Sequence, residues 1–276
     1  MAETDDQSKR ERQCILVVPC YNEQRRLRVD EFLTFLDAHP GFQFQFVNDG
    51  STDDTLKVLQ QLQTMAMSQV EILALEANCG KAEAVRRGLL AAIHKTPDFV
   101  GYWDADLATP LAEALPIVQL LEQRPEIDLV MGARVRLLGR HISRRPVRHY
   151  MGRVFATLTS VAIRLPVYDT QCGAKIFRLT PRLLNVLERP FFSRWIFDVE
   201  LLDRFLQAVE ADRLPAGNCR ILEYPLMTWH DVAGSKLRGV DAIRALGDLA
   251  RIAWKRRFGP HTFPTSTSSL GQVPQR

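Results

Sequence analysis

Two aspartates separated by one residue are the first candidates for chemistry. Asp104 and Asp106 follow an apolar run in the stretch "GYWDADLATP". Where a strand opens into a loop, two such carboxylates can converge on one hard cation, Mg²⁺ or Mn²⁺, that keeps water and ligand phosphates as its other partners. The alternative is an ordinary Asp-rich turn whose side chains bind the local backbone. The pair therefore indicates either a metal site for a diphosphate or a solvated turn.

Three other polar loops also follow apolar runs. They are "PCYNE" (19–23), "NDGSTDDT" (48–55) and "NCGKAEA" (78–84). In the first, Tyr21 could stack on a planar base and Glu23 could hold a ribose hydroxyl, although both are also common turn residues. The four loops together concentrate Asn, Asp, Gly and Tyr after successive apolar segments.

The second and third loops carry more specific signals. Gly50 suits a tight turn, and Ser51 or Thr52 is predicted to cap the next helix. Asp49 precedes that turn and could accept a hydrogen bond from a base N–H. Lys81 is predicted in the first turn of a helix, where the dipole disfavours a cation, so an anion is expected nearby. The loop lacks the P-loop pattern and is weak evidence for phosphate binding by itself.

The segments that position these loops alternate between the apolar spacing of strands and that of helices. Strands are predicted at 14–19, 42–48, 70–75, 98–103 and 128–133, and helices at 24–38, 52–65, 81–95 and 110–123. Such alternation predicts βαβ units and a mostly parallel sheet. Ligands of such sheets bind beyond the carboxyl ends of the strands, which is where the polar loops fall.

Composition sets limits on the class of protein. The 276 residues are 46% hydrophobic with a formal net charge of +4, which indicates a globular protein and does not favour a nucleic-acid partner. Five scattered cysteines without a CxxC pair favour a reducing, cytoplasmic compartment. We find no signal peptide and no apolar run of about 18 residues, so any membrane contact is expected to be peripheral. Nothing in the sequence favours a particular oligomeric state.

The four loop motifs, in their order and spacing, resemble the nucleotide-sugar half of the family 2 glycosyltransferases. Four later stretches resemble the subgroup that transfers a hexose to dolichyl or other polyprenyl phosphates: "GARVRLLGRHISRRPVRHYMGR", "YDTQCGAKIFR", "RWIFDVELL" and "EYPLMTWHDVAGSKL". The resemblance covers residues 14–258. It implies an α/β GT-A fold, with a Rossmann-like, mostly parallel central sheet flanked by helices. It also implies a nucleotide-diphosphosugar donor, Mg²⁺ or Mn²⁺, and inversion at the anomeric carbon.

The resemblance implies roles for individual residues. Around the nucleotide-sugar it places Pro19, Tyr21, Glu23, Asp49, Lys81, Asp104, Ala105 and Asp106, with Asp104 and Asp106 holding the metal. As catalytic residues it implies Arg134 and Lys236, which would face the diphosphate, and Asp198 near the reacting centre. For the acceptor or its phosphate it implies Arg145, Arg148, Gln171, Cys172, Gly173, Trp195 and Ser235.

These roles predict an inverting transfer of a hexose, with glucose from UDP-glucose favoured, to a polyprenyl phosphate. The anionic phosphate oxygen would attack directly and needs positioning arginines rather than a base. A hydroxyl acceptor would instead need a general base, for which Asp198 is the candidate, although an acidic residue also suits the start of a helix. A GDP-mannose enzyme is a further alternative, but Ala108 stands where mannosyl relatives have a metal-binding Gln. A non-catalytic nucleotide-sugar-binding protein would not need the second-half motifs.

Two segments combine basic and apolar residues, at 136–165 and 238–258. A basic amphipathic helix at the C-terminal end could lie on an anionic membrane, at its cytoplasmic face, or both segments could pack on the sheet and keep a solvated basic face. We predict disordered residues at 1–12 and 260–276. Between them, 13–259 is predicted as one glycosyltransferase domain with a nucleotide-sugar half (13–133) and an acceptor half (134–259).

Overall fold

The structure is a computed structural model that describes residues 12–143, 146–212, 220–232 and 239–259. In the helical stretches 146–149 and 239–243 only the backbone is described. The predicted disordered ends, apart from Arg12, lie outside the described residues.

The described residues alternate between strands and helices. The strands are β1 (Cys14–Cys20), β2 (Phe42–Asp49), β3 (Val70–Leu75), β4 (Phe99–Trp103), β5 (Leu129–Ala133), β6 (His141–Ser143), β7 (Ala174–Arg178), β8 (Ile221–Pro225) and β9 (Thr228–His230). The helices are α1 (Val29–Ala38), α2 (Thr55–Met65), α3 (Lys81–Ile93), α4 (Ala114–Gln123), α5 (Pro146–Ile163), α6 (Pro181–Leu187), α7 (Phe197–Ala211) and α8 (Gly239–Phe258). A 3₁₀ helix at Leu111–Glu113 precedes α4.

Within the described residues, seven strands form the central sheet in the order β3-β2-β1-β4-β7-β5-β8. All neighbours are parallel except β7, which runs antiparallel to both β4 and β5. A second sheet pairs β6 with β9 in parallel. The predicted fold class, a mostly parallel sheet flanked by helices, is confirmed. Because β7 is reversed, it begins at the edge where β1, β2, β4 and β5 end.

The sheet is covered on both faces, which explains why its strands are apolar almost throughout. Adjacent residues of β4 point to opposite sides: Trp103 packs in the cluster with α1, α2 and α4, and Tyr102 in the cluster with α3 and α5–α8. Phe32 of α1 packs edge-on against Phe44 of β2. The two clusters form a three-layer core that holds the strand ends rigidly.

The predicted helices are present, but three begin later than expected. Helix α4, predicted from residue 110, begins at Ala114, after the 3₁₀ helix Leu111–Glu113. Helix α1 begins at Val29 rather than 24, because residues 23–27 form turns through the carbonyl of Glu23. Helix α2 begins at Thr55, so the predicted N-caps Ser51 and Thr52 are wrong. The carboxylate of Asp53 instead accepts from the Thr55 N–H at 3.0 Å. A backbone carbonyl before α1 and a side-chain carboxylate before α2 thus extend the two loops at the edge of the sheet.

The basic segments form α5 and α8, which pack against each other on the face that also carries α7. In the described part of the chain, no helix combines the length and apolar character needed to cross a bilayer. The division into halves at residue 133 stays a prediction. It falls at the end of β5, where the chain leaves the run of predicted strands.

Candidate active site

The polar loops meet at one edge of the sheet. Asp49 is the last residue of β2, Asp104 and Arg134 directly follow β4 and β5, and Gly173 directly precedes β7. Register places Trp103 opposite Ala174, so the loop before β7 lies beside the Asp104 loop. The predicted convergence therefore occurs, and it includes a loop from the second half of the chain.

Asp104 and Gly173 are in direct backbone contact. The Asp104 N–H donates to the Gly173 carbonyl at 3.0 Å. A Cβ built on Gly173 would lie 1.9 Å from Oδ2 of Asp104 and 2.1 Å from its carboxyl carbon. No real atom pair tolerates that approach, so a glycine is required at 173 to let the carboxylate occupy its position.

Lys81 neutralises Asp104 in this structure. Its ammonium group, in the first turn of α3, forms an ion pair with Oδ1 of Asp104. Partial burial favours the neutral acid, but Lys81, with Lys175 and Arg134 further away, outweighs it and holds the pKa of Asp104 below its ordinary value. The anion expected near Lys81 is thus a carboxylate of the chain itself, and its role toward a nucleotide stays a prediction.

Asp106 lies in a different environment. Its Oδ1 accepts from the Ala108 N–H at 3.1 Å, and its backbone carbonyl accepts from the guanidinium of Arg28 at 3.1 Å. Burial, followed by the charge of Asp104, raises the pKa of Asp106. The local turn bond is the alternative anticipated for an Asp-x-Asp pair, and it uses one oxygen only.

The donor set at this loop fits a hard divalent cation. Asp104 and Asp106 supply carboxylate oxygens, the ligand type that Mg²⁺ and Mn²⁺ prefer, and phosphate and water would complete the shell. Within the described ranges, no group of three or more His, Cys, Asp or Glu side chains could hold a metal. A cation bound here would therefore depend on ligand oxygens, and it would compete with Lys81 for Asp104.

Asp49 fixes the neighbouring loop. Its buried carboxylate accepts from the N–H groups of Cys79 (2.7 Å) and Gly80 (2.9 Å) and from the Asn78 side chain (3.1 Å). Gly50, at φ 62°, makes the turn that follows. Asp49 thus sets the start of α3, from which Lys81 projects. This is a role that the sequence did not indicate, and the predicted bond to a base stays a prediction.

The other residues predicted to surround the nucleotide-sugar differ in how exposed their side chains are. Tyr21 is 36% exposed just beyond β1, whereas Ala105 is buried in the core. Pro19 lies within β1, paired with Val47. The carboxylate of Glu23 forms an ion pair with Arg26, so a ribose hydroxyl would have to share it.

Arg134 is held by a partner that the sequence analysis missed. Its Nε and Nη2 donate to the two oxygens of Asp169 at 2.5 and 2.8 Å, and its guanidinium lies 5.3 Å from the centre of the Trp229 ring. Burial would lower the pKa of Arg134, but Asp169 raises it above its ordinary value. The arginine is a fixed cation near Asp104, oriented by Asp169.

Beneath the edge lies a buried ionic cluster formed by Lys175, Asp198 and Tyr102. Lys175 is fully buried, and its Nζ donates to Oδ1 of Asp198 (2.7 Å) and to the carbonyls of Cys172 (2.7 Å) and Thr170 (2.9 Å). The Tyr102 hydroxyl also donates to Oδ1 of Asp198. Burial, then Asp198, raises the pKa of Tyr102 well above its ordinary value, so it stays protonated. The cluster ties the loop before β7 to the start of α7.

Of the site residues predicted in the acceptor half, those in the described ranges differ in whether their side chains are exposed near the edge of the sheet. The Cys172 thiol is buried in the core, and burial raises its pKa to about 11; the predicted place of Cys172 in a loop that faces the sugar stays a prediction. Gln171 is exposed, and Trp195 is 40% exposed just before α7. Arg194, which the sequence analysis did not single out, donates to the Cys79 carbonyl at 3.2 Å and so links this segment to the loop before α3.

Three further predicted residues, Arg145, Ser235 and Lys236, lie outside the described residues, as does the side chain of Arg148. Of the residues that sequence reasoning missed, Lys175 carried a usable signal. It is a lysine inside an apolar strand, and a buried lysine requires charged or polar partners.

The fold and the edge geometry define an enzyme class. Residues 15–181 match the family model described as glycosyl transferase family 2, which is more than half of the chain. The chain therefore belongs to glycosyl transferase family 2.

Several individual proteins resemble the chain along most of its length. It is 30% identical over 256 residues to a dolichyl-phosphate beta-glucosyltransferase of Trichomonas vaginalis, covering 88% of this chain and 71% of the relative. It is 32% identical over 237 residues to the dolichyl-phosphate beta-glucosyltransferase of Drosophila melanogaster, covering 80% and 68%. Among solved structures, the glucosyl-3-phosphoglycerate synthase of Mycobacterium tuberculosis in complex with Mn²⁺, UDP and glucosyl-3-phosphoglycerate matches with a TM-score of 0.56 at 22% identity, covering 92% and 82%. That structural likeness shows a shared fold.

The contact between Gly173 and Asp104 yields a prediction for sugar transfer. We expect Gly173→Ala to lower the transfer rate about 100-fold, because the added methyl must displace the Asp104 carboxylate by an ångström or more. Initial rates at saturating donor measure the effect. Gly247→Ala is the matched control, since a Cβ there meets nothing within 4 Å, and it should leave the rate unchanged. Wild-type activity in Gly173→Ala would contradict the position assigned to Asp104.

Proposed function

We propose that the chain is an inverting glucosyltransferase that moves glucose from UDP-glucose to the phosphate of a polyprenyl lipid such as dolichyl phosphate. The observation that carries the donor half is the Asp104–Asp106 pair at the carboxyl end of β4, with Lys81 and Arg134 beside it. The acceptor is supported by relatives at about 30% identity that are dolichyl-phosphate beta-glucosyltransferases. The donor therefore rests on the local geometry at the sheet edge, and the acceptor rests on the similarity to relatives along most of the chain.

The cations and the carboxylates at the edge of the sheet have different roles in the transfer. As the bond between glucose and UDP breaks, negative charge develops on the diphosphate. Arg134, held by Asp169, and the ammonium of Lys81 lie beside Asp104 and would stabilise that charge. A cation held by Asp104 and Asp106 would add Lewis-acid stabilisation of the same oxygens. The carboxylates orient the donor, and they do not themselves transfer a proton.

The same two carboxylates, Asp104 and Asp106, also indicate which cofactor the reaction uses. We infer a requirement for Mg²⁺ or Mn²⁺, supported by the two carboxylates and by the structural neighbour solved with Mn²⁺ and UDP. The predicted contributions of Lys236, Ser235, Arg145 and Arg148 to diphosphate or acceptor binding are retained as part of the proposal.

A phosphate acceptor suits the state of Asp198 better than a hydroxyl acceptor does. A hydroxyl acceptor needs a base that is open to substrate, but Asp198 is 6% exposed. Its Oδ1 already accepts from a lysine ammonium and a tyrosine hydroxyl, so this oxygen is occupied within the fold. A phosphate oxygen is anionic already and needs no base. Asp198 is therefore interpreted as a structural carboxylate.

The proposal is tested by incubating the full chain with Mg²⁺, a panel of sugar nucleotides and two acceptors, a polyprenyl phosphate and phosphoglyceric acid. We expect a hexosyl lipid phosphate, detected by mass spectrometry, from UDP-glucose at a rate at least about tenfold above that from GDP-mannose. A product on phosphoglyceric acid alone would establish the hydroxyl-acceptor alternative. Retention of UDP-glucose without any product would indicate a binding protein.

A further inference from the structure

One arginine near the site has no acidic partner within the described residues. Arg194 lies just before α7, and its side chain is exposed. It forms no ion pair with a described carboxylate, whereas Lys81 and Arg134 each pair with an aspartate. Its one hydrogen bond in this part of the chain is from Nη2 to the Cys79 carbonyl, at 3.2 Å. The Nε and Nη1 atoms of Arg194 therefore remain available as donors to a ligand.

The guanidinium of Arg194 lies against the backbone at the start of α3. A Cβ built on Gly80 would lie 3.4 Å from Nε of Arg194 and 3.8 Å from its Cζ. The residue after Gly80 is Lys81, whose ammonium group forms the ion pair with Asp104. Arg194 thus places a second positive charge beside the helix start that carries Lys81.

This is an unfavourable place for a second cation. The dipole of α3 is positive at this end and disfavours positive charge there. The carboxylate of Asp49 lies nearby, but it already accepts from the N–H groups of Cys79 and Gly80. An anionic ligand would balance the charge of Arg194. The planar guanidinium, with two nitrogens free to donate, matches the oxygens of a phosphate group.

The main chain on both sides of Arg194 is held by buried polar groups. The N–H groups of Phe192 and Ser193 donate to one carboxylate oxygen of Glu200, in α7, at 3.0 and 3.1 Å. Ser193 is fully buried, and its Oγ accepts from the Ile196 N–H at 3.0 Å. Arg194 therefore extends from a fixed turn at the start of α7.

Helix α8 contacts the same turn. Oδ2 of Asp248 accepts from Oγ of Ser193 at 2.7 Å. The cationic groups of Arg251 and Lys255 lie 4.6 and 4.7 Å from the centre of the Phe192 ring. Contacts from two helices thus fix the backbone that carries Arg194. A side chain on a fixed backbone loses less conformational entropy when it binds a ligand than one on a mobile loop.

We propose that Arg194 binds a phosphate group of a substrate at this edge of the sheet, and that Asp248 positions it through Ser193. The inference rests on the proposed function, in which both substrates carry phosphate: the diphosphate of UDP-glucose and the phosphate of the polyprenyl lipid. Either group matches the free donors of Arg194, so the test has one arm for each. The alternative is a structural arginine that only holds the Cys79 carbonyl.

The test compares Arg194→Ala with the wild type, both as the full chain. For the donor, calorimetry measures the affinities of UDP and of uridine. For the acceptor, initial rates give the KM for a short, water-soluble isoprenyl phosphate. We expect a loss of about tenfold in one arm, seen either as weaker UDP binding with unchanged uridine binding or as a higher KM with nearly unchanged kcat. The arm that changes identifies the phosphate.

The matched control is Arg189→Ala, which removes an exposed arginine of the same segment and should change neither arm. Arg194→Lys keeps the charge and should recover most of the loss. Arg194→Gln keeps an N–H donor for the Cys79 carbonyl without the charge and should lose as much as Arg194→Ala, which also serves if the alanine variant fails to fold. Asp248→Ala should weaken the same arm by less, and it should add nothing to Arg194→Ala because it acts through Arg194.

Two results overturn the role of Arg194. One is an Arg194→Ala variant that matches Arg189→Ala in both arms, and the other is an equal loss of UDP and uridine affinity, which assigns Arg194 a structural role. The proposed function fails separately. Weaker UDP binding by Arg194→Ala, in a chain that transfers glucose to no acceptor, contradicts the proposed function and leaves Arg194 as a phosphate-binding residue.

Discussion

Asp104→Asn is expected to lower glucose transfer on the order of 100- to 1,000-fold and to remove its dependence on divalent metal. The amide keeps the shape of the side chain but loses the charge that pairs with Lys81 and that a cation would require. Titration of kcat against Mg²⁺ measures the effect, and circular dichroism checks the fold.

The control for Asp104→Asn is Asp54→Asn. Asp54 also pairs with a lysine, Lys57, but it is an exposed residue just before α2, and its replacement should leave transfer unchanged. Full activity of Asp104→Asn with an unaltered metal response would contradict the assignment of this carboxylate.

Lys175→Met is expected to lower the free energy of unfolding by about 3–5 kcal/mol, because it leaves the buried Asp198 carboxylate without its cation. The carbonyls of Thr170 and Cys172 lose their donor at the same time. Urea denaturation measures the change. Since these carbonyls belong to the loop that ends at Gly173, glucose transfer should fall as well.

Two comparisons test whether the stability lost in Lys175→Met comes from breaking the Lys175–Asp198 pair. In the double variant K175M/D198N the buried charge is removed on both sides, so its destabilisation should be smaller than the sum of the two single effects. Lys95→Met removes a lysine paired with Glu71 at the surface and should cost about 0–1 kcal/mol. Strict additivity of Lys175→Met and Asp198→Asn would show that the two side chains do not act as a pair.

The sequence predicted the strand ends and the loops attached to them because both follow from short-range patterns. Runs rich in branched residues marked β1 to β5, and the parallel sheet they imply brings Asp49 and Asp104 to one edge. Helix starts were less predictable. Ser51 and Thr52 have the right chemistry for a cap, but the N-cap residue is Asp54, and the side chain that accepts from the first helical N–H, that of Thr55, belongs to Asp53.

The partners of the charged residues could not be predicted in the same way. Lys81 with Asp104 and Arg134 with Asp169 are pairs 23 and 35 residues apart in the chain, and the second depends on the insertion of the reversed strand β7 between β4 and β5. Loop lengths and periodicity do not encode that insertion. Lys175 and Asp198 show the same limit. Lys175 lies in β7 and Asp198 in the first turn of α7, and local patterns do not predict that this helix packs beside that strand.

One measurement tests most directly whether Asp104 and Asp106 hold a cation for a nucleoside diphosphate. It is the affinity of the full chain for UDP, determined by calorimetry with and without Mn²⁺. We expect Mn²⁺ to strengthen UDP binding by about 10- to 100-fold in the wild type and to have no effect in D104N/D106N. Equal UDP affinity with and without Mn²⁺ in the wild type, or the same gain in the variant, would contradict the proposed site.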